Sequence, residues 1–345
     1  MSRDPSKSNK TELHRKLTNF VRWIAPEPEK EDEIRARAEN VRTAIKNKAS
    51  DDKLVVKSTP SSGSFATRTG LRRHMRGTSE VEGQDVDVPF VVAPVTKDDE
   101  KLTRLLSRFE RYAKASYPDT KRETTKSSVR LMFDDKLNFD LVPLLATTDP
   151  ERQILIRSDG ERRETSVQKH VEFVRARTAA SNDIKGVVKF NEMVRLLKWF
   201  RCYRLSLESG TLTDVPSFLI ILLAAHAFDA RGVKATYGET LVDWFGHIAR
   251  VIRLQQQVAF TDYSKTMPPA KAGTWSVHDP VNGDNNVVAK MTHLQLEELA
   301  DWFEEARDEM LIAVVAFEDE RDSDGIDALV TIFGNAVRHP SESEP

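Results

Sequence analysis

The spacing of apolar residues predicts that helices open the chain and that a strand-rich region follows them. Leu13, Leu17 and Val21 recur at helical spacing, and Pro26 ends that run. A second helix, dense in charged residues, is predicted over residues 29–47.

Short apolar runs predict the strands of the next region. Strands are expected at residues 53–57, 85–92, 127–133 and 137–145. An amphipathic helix is predicted over residues 101–115, between the second and third strands. Pro89 lies inside the second strand, where proline is expected to mark a bulge because it cannot donate to the ladder.

The rest of the chain has a helical pattern. Helices are predicted at residues 165–178, 186–208, 216–230, 238–257, 292–317 and 324–336. The stretch from Tyr263 to Asn286 is rich in Pro, Gly and Asp, and its length predicts a functional loop. The predicted organisation is an N-terminal helical segment (1–50), a strand-containing core (51–164), a helical C-terminal lobe (165–338) and a disordered tail (339–345).

Composition narrows the class of protein. The 345 residues suffice for one large domain or two ordinary ones, and the net charge of −2 favours neither a nucleic-acid nor a membrane-surface partner. Cys202 is the single cysteine, so no intramolecular disulfide can form. No run reaches the ~18 apolar residues of a membrane span, and the first residues lack the apolar segment of a secretion signal. We therefore expect a cytoplasmic protein with no membrane partner.

Three aspartates in the predicted strands suggest metal-dependent phosphoryl transfer. Asp85 and Asp87 alternate with Val86 and Val88, so both carboxylates lie on one face of a strand. Asp140, in a later apolar strand, is placed to supply a third carboxylate. Mg²⁺ takes oxygen ligands, and two ions that bracket an in-line displacement need carboxylates at short range. An Asp-x-Asp pair alone is common on solvated strands, so the prediction depends on the motifs around it.

A glycine-serine turn precedes these aspartates. The predicted first strand runs directly into Ser61-Ser62-Gly63-Ser64. Glycine lets the backbone approach a triphosphate closely, and the exposed amides with the Ser64 hydroxyl can bind phosphate.

Taken in order, Gly63-Ser64, Asp85-x-Asp87 and Asp140 resemble the active-site signature of the polymerase-beta-like nucleotidyltransferases. Further segments resemble the oligoadenylate-synthetase and cGAS/DncV-like group within that superfamily. These segments are Met193 to Trp199, Val215-Pro216-Ser217-Phe218, and Asp279-Pro280 with Asn285-Asn286-Val287. The resemblance spans about residues 50 to 300. The chain length and the lack of a zinc-binding insertion are most similar to the bacterial enzymes that make cyclic nucleotide signals in anti-phage defence.

The resemblance implies a role for each site residue. Asp85, Asp87 and Asp140 would be catalytic and would hold two Mg²⁺ ions, with Mn²⁺ as an alternative. The implied nucleotide-binding residues are Gly63, Ser64, Thr69, Lys198, Ser217 and Phe218. The residue pattern alone favours a surface lysine at Lys198, a plain helix cap at Ser217 and a core residue at Phe218, and the resemblance is what indicates nucleotide binding.

The resemblance also implies a fold and a function. The fold would be α+β, with a mixed-sheet nucleotidyltransferase core, a helical oligoadenylate-synthetase-like lobe and an N-terminal helical segment that braces both. The function would be condensation of NTPs, ATP and GTP above all, into a cyclic di- or trinucleotide with release of pyrophosphate.

Partners and alternatives follow from the same resemblance. A regulatory defence-system protein is an implied partner. Activation by nucleic acid is not expected, because the basic run at residues 71–76 lacks interleaved aromatic residues and a wider basic surface. Linear oligonucleotides and nucleotidylation of another acceptor stay open, since the three aspartates do not separate these products. A catalytically silent nucleotide-binding module is the third alternative, and the presence of all three carboxylates argues against it.

Overall fold

The computed structural model describes residues 5–338, except 73–74, 77–78, 81–84, 94–101, 136, 185–186, 208–209, 265–267 and 270–273. Its contacts divide the chain into two compact units. The sheet unit comprises Pro26–Phe173, and the helical unit comprises Met1–Ala25 together with Val174–Pro345. The predicted tail at residues 339–345 lies outside the described residues.

The sheet unit alternates helices and strands. Its helices are α2 (Pro28–Asp51), α3 (Gly63–Thr67) and α4 (Leu102–Ser116). Its strands are β1 (Val56–Ser58), β2 (Met75–Arg76), β3 (Ser79–Glu80), β4 (Asp85–Val92), β5 (Lys121–Thr124), β6 (Val129–Met132), β7 (Asn138–Ala146), β8 (Gln153–Ile156) and β9 (Arg162–Thr165). The structure confirms the α+β fold class and the predicted strands at β4, β6 and β7.

One parallel strand pair lies at the centre of the main sheet. The strand order is β1-β4-β7-β6-β5, and β8 pairs with both β7 and β9. The central strands β4 and β7 run parallel, whereas β6 and β8 pair with β7 in the antiparallel sense. A parallel pair needs a crossover connection, and α4 lies between β4 and β7 in the chain, as such a connection requires.

The main hydrophobic core of the sheet unit contains residues of α2, α4 and the sheet. The α2 residues are spaced three or four apart, at Ile34, Ala38, Val41, Ile45 and Ala49. A smaller cluster of Val91, Leu144 and Val167 is separate from this core. Val91 is an even number of residues from Asp85 and Asp87, so the aspartates and this cluster share one face of β4.

Two expectations about the strands were wrong in detail. The bulge expected at Pro89 is absent, because the β4–β7 register runs unbroken from Asp85 to Val92. The irregularity lies instead in β1, between Val56 and Ser58. Strands β2, β3, β5, β8 and β9 were not predicted. Strands β5 and β9 read Lys-Arg-Glu-Thr and Arg-Arg-Glu-Thr, without an apolar alternation, and β2, β3 and β8 are only two to four residues long.

The helical unit includes one almost wholly apolar helix, Ser217–Arg231. Its helices are α1 (Pro5–Trp23), α6 (Phe190–Ser206), α7 (Ser217–Arg231), α8 (Tyr237–Arg253), α9 (His293–Glu318), α10 (Asp322–Phe333) and a 3₁₀ turn (Asn335–Arg338), and α5 (Val167–Ile184) leads into it. Helix α7 buries eight of its residues, as expected for a helix that is apolar on all sides. These elements confirm the helical pattern predicted for this part of the chain. Within the described residues, no helix is both long and apolar enough to cross a membrane.

A buried arginine stabilises the helical unit. The Arg177 guanidinium donates to Asp229 through Nε at 2.9 Å and to Asp262 through Nη1 at 2.9 Å, and it lies 5.4 Å from the Phe260 ring centre. Its side chain is only 8% exposed. Because Arg177 forms ion pairs with both Asp229 and Asp262, its removal leaves two neighbouring carboxylates without their shared counter-ion.

We expect Arg177→Met to lower the free energy of unfolding by about 2–4 kcal/mol, measured by urea denaturation. The control is Arg307→Met, because Arg307 is 39% exposed and pairs with its neighbour Asp308. That exposed pair is expected to contribute at most about 1 kcal/mol. Equal losses of unfolding free energy in the two variants would contradict the stabilising role of the buried Arg177 ion pairs.

Candidate active site

Three carboxylates meet on one face of the central strand pair. In the parallel register Asp87 lies directly opposite Asp140, and Asp85 lies opposite Asn138. Asp85 and Asp87 are exposed, whereas the alternating Val86 and Val88 are buried, as the sequence predicted. Asp140 itself is 8% exposed. The site therefore has a recessed carboxylate beside two solvent-facing ones.

The structure adds Arg130, which the sequence analysis missed. Arg130 lies opposite Asp140 in the antiparallel β6–β7 register. Its Nε donates to Asp140 Oδ1 at 3.0 Å and its Nη2 to Asp140 Oδ2 at 2.7 Å. The same Nη2 donates to Asp85 Oδ2 at 3.1 Å. A guanidinium thus bridges two of the three predicted catalytic carboxylates.

The electrostatics keep this guanidinium charged. The hydrogen bonds from Arg130 to Asp140 raise the pKa of Arg130 above its usual value. The negative charges of Asp140 and Asp85 raise this pKa further, whereas the partial burial of Arg130 lowers it. The signal that pointed to Arg130 was available in the sequence. It alternates with Val129 and Leu131 in a predicted strand that a short turn joins to the strand of Asp140.

Two polar side chains orient the carboxylates further. Asn138 Nδ2 donates to Asp85 Oδ1 at 2.8 Å, and Ser128 Oγ donates to Asp140 Oδ1 at 3.2 Å. Asn138 and Asp85 are direct partners in the β4–β7 register, so the sheet fixes that pair, and Ser128 lies just before β6.

The glycine-serine turn lies against Asp87. Gly63 has φ +69°, a backbone conformation that disfavours any residue with a Cβ. A Cβ at Gly63 would lie 2.4 Å from Asp87 Oδ2. The turn then enters the short helix α3, in which Ser64 is half-buried. The structure therefore brings Gly63 and Ser64 together with the aspartates.

Thr69 supports this turn from inside the protein. It is fully buried, its backbone N–H donates to the Ser64 carbonyl at 2.9 Å, and its hydroxyl lies 2.8 Å from that of Thr67. The Thr67 hydroxyl also donates to the Gly63 carbonyl at 3.1 Å. In this structure Thr69 thus shapes the turn from a position that solvent does not reach.

The other predicted nucleotide-binding residues lie in the helical unit. Lys198 is half-buried in α6 between the buried Leu197 and Trp199. Ser217 and Phe218 are the half-buried first residues of α7.

Local contacts shape the start of α7 and the late loop. The Arg201 guanidinium donates to the Val215 carbonyl just before α7. In the loop, Asp279 Oδ1 accepts from the Val281 amide at 2.9 Å and Asp279 Oδ2 accepts from Asn285 Nδ2 at 3.3 Å. The Asp-Pro…Asn segment is therefore a hydrogen-bonded turn.

The basic run at residues 71–76 forms an ion pair within the sheet unit, between Arg72 and Glu27. Arg73, His74 and Gln84, which the sequence places close to the site, lie outside the described residues.

The donor atoms of the site suit a hard divalent ion. Mg²⁺ and Mn²⁺ prefer carboxylate oxygens, and Asp85, Asp87 and Asp140 present such oxygens on one face. In the described part of the chain, no three acidic, His or Cys side chains are already gathered around one point, and Arg130 bridges Asp85 and Asp140. The carboxylate oxygens are therefore of the type that the predicted metal ions bind. Among the described residues, the Arg130 guanidinium, and no ring of three ligands, holds Asp85 and Asp140 together.

The fold is that of an α+β nucleotidyltransferase. Residues 12–177 match the family model of the Second Messenger Oligonucleotide or Dinucleotide Synthetase domain. Over this range the chain is similar to the cGAS/DncV-like nucleotidyltransferases, the CD-NTases, as the sequence motifs predicted, and the chain is a nucleotidyltransferase.

Curated relatives and solved structures are similar to this chain over most of its length. The CBASS oligonucleotide cyclase CdnC of Escherichia coli strain KTE188 is 27% identical over 278 residues, covering 79% of this chain and 82% of the relative. The cyclic AMP-AMP-AMP synthase of E. coli strain MS 115-1 is 26% identical over 300 residues, covering 84% and 87%.

Among solved structures, E. coli MS115-1 CdnC with ATP has a TM-score of 0.75 at 24% identity, covering 94% of this chain and 98% of that chain. The same cyclase in complex with HORMA-deltaN also has a TM-score of 0.75, at 23% identity, covering 94% and 97%. Bradyrhizobium diazoefficiens CdnG with GTP has a TM-score of 0.72 at 18% identity, covering 95% and 97%. These likenesses confirm the fold.

Proposed function

We propose that this enzyme joins NTPs into a cyclic di- or trinucleotide that serves as a second messenger in anti-phage defence. The observation that carries the proposal is the register of Asp87 opposite Asp140, with the Gly63 turn against Asp87. That arrangement places oxygen ligands on one face of the central strand pair with the Gly63 turn beside them, and two-metal nucleotidyl transfer requires both oxygen ligands and phosphate contacts.

In each transfer, a ribose hydroxyl of the acceptor forms a bond to the α-phosphorus of the donor. The bond to pyrophosphate breaks, and the hydroxyl proton passes to a carboxylate or to water. Asp85, Asp87 and Asp140 would hold two Mg²⁺ ions. When bound, these ions supply positive charge that neutralises the triphosphate and lowers the pKa of the attacking hydroxyl.

The chain itself positions the reactants. Backbone amides of the Gly63-Ser64 turn and the Ser64 hydroxyl would bind the donor phosphates, and Thr69 would hold this turn in shape. In the helical unit we assign phosphate binding to Lys198 and to Ser217 at the start of α7, where amides and helix dipole favour anions. Phe218 would stack on a base.

Relatives suggest the substrates and the regulator. One curated relative is named a cyclic AMP-AMP-AMP synthase, and solved structures of related enzymes contain ATP or GTP. We propose ATP as the first substrate, with GTP as the second. Because E. coli CdnC forms a complex with a HORMA protein, we propose a regulatory protein partner of that kind for this enzyme too.

The proposal is tested by incubating the purified enzyme with Mg²⁺ and α-labelled ATP, alone and with the other NTPs. Products are treated with phosphatase and resolved by mass. A phosphatase-resistant species of two or three nucleotides is expected. Products that phosphatase degrades would indicate linear oligonucleotides instead. Absence of any product, with the candidate partner both present and absent, would contradict the proposal.

A further inference from the structure

Arg130 donates hydrogen bonds to two of the three predicted catalytic carboxylates, Asp85 and Asp140. Both Asp140 oxygens accept from it, Oδ1 from Nε at 3.0 Å and Oδ2 from Nη2 at 2.7 Å. This is a fork that matches the planar guanidinium to the planar carboxylate. Because Arg130 and Asp140 are direct partners in the sheet register, the backbone holds this pair in place.

The contact of Arg130 with Asp85 is the weaker one. It uses the same Nη2 that already donates to Asp140, at 3.1 Å rather than 2.7 Å. The Asp85 side chain is 50% exposed, whereas that of Asp140 is 12% exposed. A cation arriving from solvent therefore meets Asp85 first and displaces the longer hydrogen bond at the lower cost.

We propose that Arg130 is a positioning residue that also serves as a resident counter-ion. It orients Asp140 through the fork and offsets the repulsion among the three carboxylates before metal binds. On metal binding it releases Asp85 and keeps Asp140. This inference rests on the proposed function, because it takes the three aspartates as the metal ligands.

A counter-ion and a purely structural arginine have opposite consequences for metal binding. A counter-ion competes with the metal and repels it, so its removal strengthens metal binding in the absence of nucleotide. A purely structural arginine only keeps the ligands in place, so its removal weakens metal binding or leaves it unchanged. Catalysis falls in both cases, because Asp140 loses its orientation. Metal affinity therefore separates the two roles, and activity does not.

The experiment titrates MnCl₂ alone into the full-length protein and measures free Mn²⁺ by electron paramagnetic resonance. We expect Arg130→Gln to lower the Kd for Mn²⁺ by about three- to tenfold, as Coulomb interactions at this range imply. Arg130→Lys keeps the charge without the fork and is expected to stay within about twofold of the wild type in Kd while its kcat falls. The matched control Arg152→Gln removes a half-exposed arginine elsewhere in the sheet unit and is expected to leave both unchanged.

Thermal unfolding supplies the second measurement on the same variants. Without metal, Arg130→Gln is expected to unfold at a lower temperature than the wild type, and Mn²⁺ is expected to raise its Tm by more than it raises that of the wild type. If Arg130→Gln does not fold, Arg130→Met replaces it in the Mn²⁺ titration, and a Kd equal to or higher than that of the wild type overturns the inference.

The outcomes distinguish this inference from the proposed function. One outcome is that the wild type binds Mn²⁺, Asp87→Asn does not, and a folded Arg130→Gln binds Mn²⁺ no more tightly than the wild type. That outcome overturns the role of Arg130 and leaves the proposed function standing. Mn²⁺ binding that is absent, or equal in the wild type and Asp87→Asn, overturns both proposals.

Discussion

Asp87→Asn is expected to reduce formation of the nucleotide product by at least about three orders of magnitude while the protein stays folded. Asp87 lies opposite Asp140 in the register and against Gly63, so it is central to the carboxylate face. Asparagine has nearly the same shape but lacks the charge that a divalent ion requires. Several kcal/mol of transition-state stabilisation depend on that ion, which corresponds to the expected loss.

The measurement is the initial rate of labelled product under saturating ATP and Mg²⁺, together with the thermal unfolding temperature. Asp119→Asn is the control, because Asp119 is an exposed aspartate of the same unit, in the turn before β5. The control is expected to retain full activity. If Asp87→Asn kept more than about a tenth of the wild-type rate, the assignment of Asp87 as a metal ligand would be wrong.

Gly63→Ala is expected to lower the rate by about a hundredfold and the stability by about 1 kcal/mol. The stability loss arises because Gly63 has φ +69°, a conformation that costs about 1 kcal/mol for a residue with a Cβ. The rate loss arises because the new methyl group would lie 2.4 Å from Asp87 Oδ2 and must displace that carboxylate. A displacement of about 1 Å at a catalytic group can cost a hundredfold in rate.

Gly160 offers a matched control for this substitution. It has φ +86°, so Gly160→Ala introduces the same kind of backbone strain, but no atom lies within 4 Å of the position of its Cβ. We expect both variants to lose about 1 kcal/mol by urea denaturation, and only Gly63→Ala to lose activity. Equal activities of the two variants would show that the approach of Gly63 to Asp87 has no catalytic importance.

The sequence by itself determined the elements with strong local patterns. Strand β4 was predicted from the alternation of aspartate and valine at residues 85–88, and α7 from its continuous apolar run. The Gly63-Ser64 turn and the aspartates were predicted to act together, and the nucleotidyltransferase fold that they indicated is confirmed. These features share a physical cause, because burial on one face of a single element leaves a periodic trace in the residues of that element.

The tertiary structure alone decided which residues from different strands lie side by side. The pairing of Arg130 with Asp140, the bond from Asn138 to Asp85, and the burial of Thr69 each depend on register or packing between distant segments. The edge strands β5 and β9 were missed for the same reason, since a charged segment becomes a strand only when a neighbour supplies its hydrogen bonds. Sequence patterns record what each element buries, whereas cross-strand contacts form only when the chain has folded and its strands have paired.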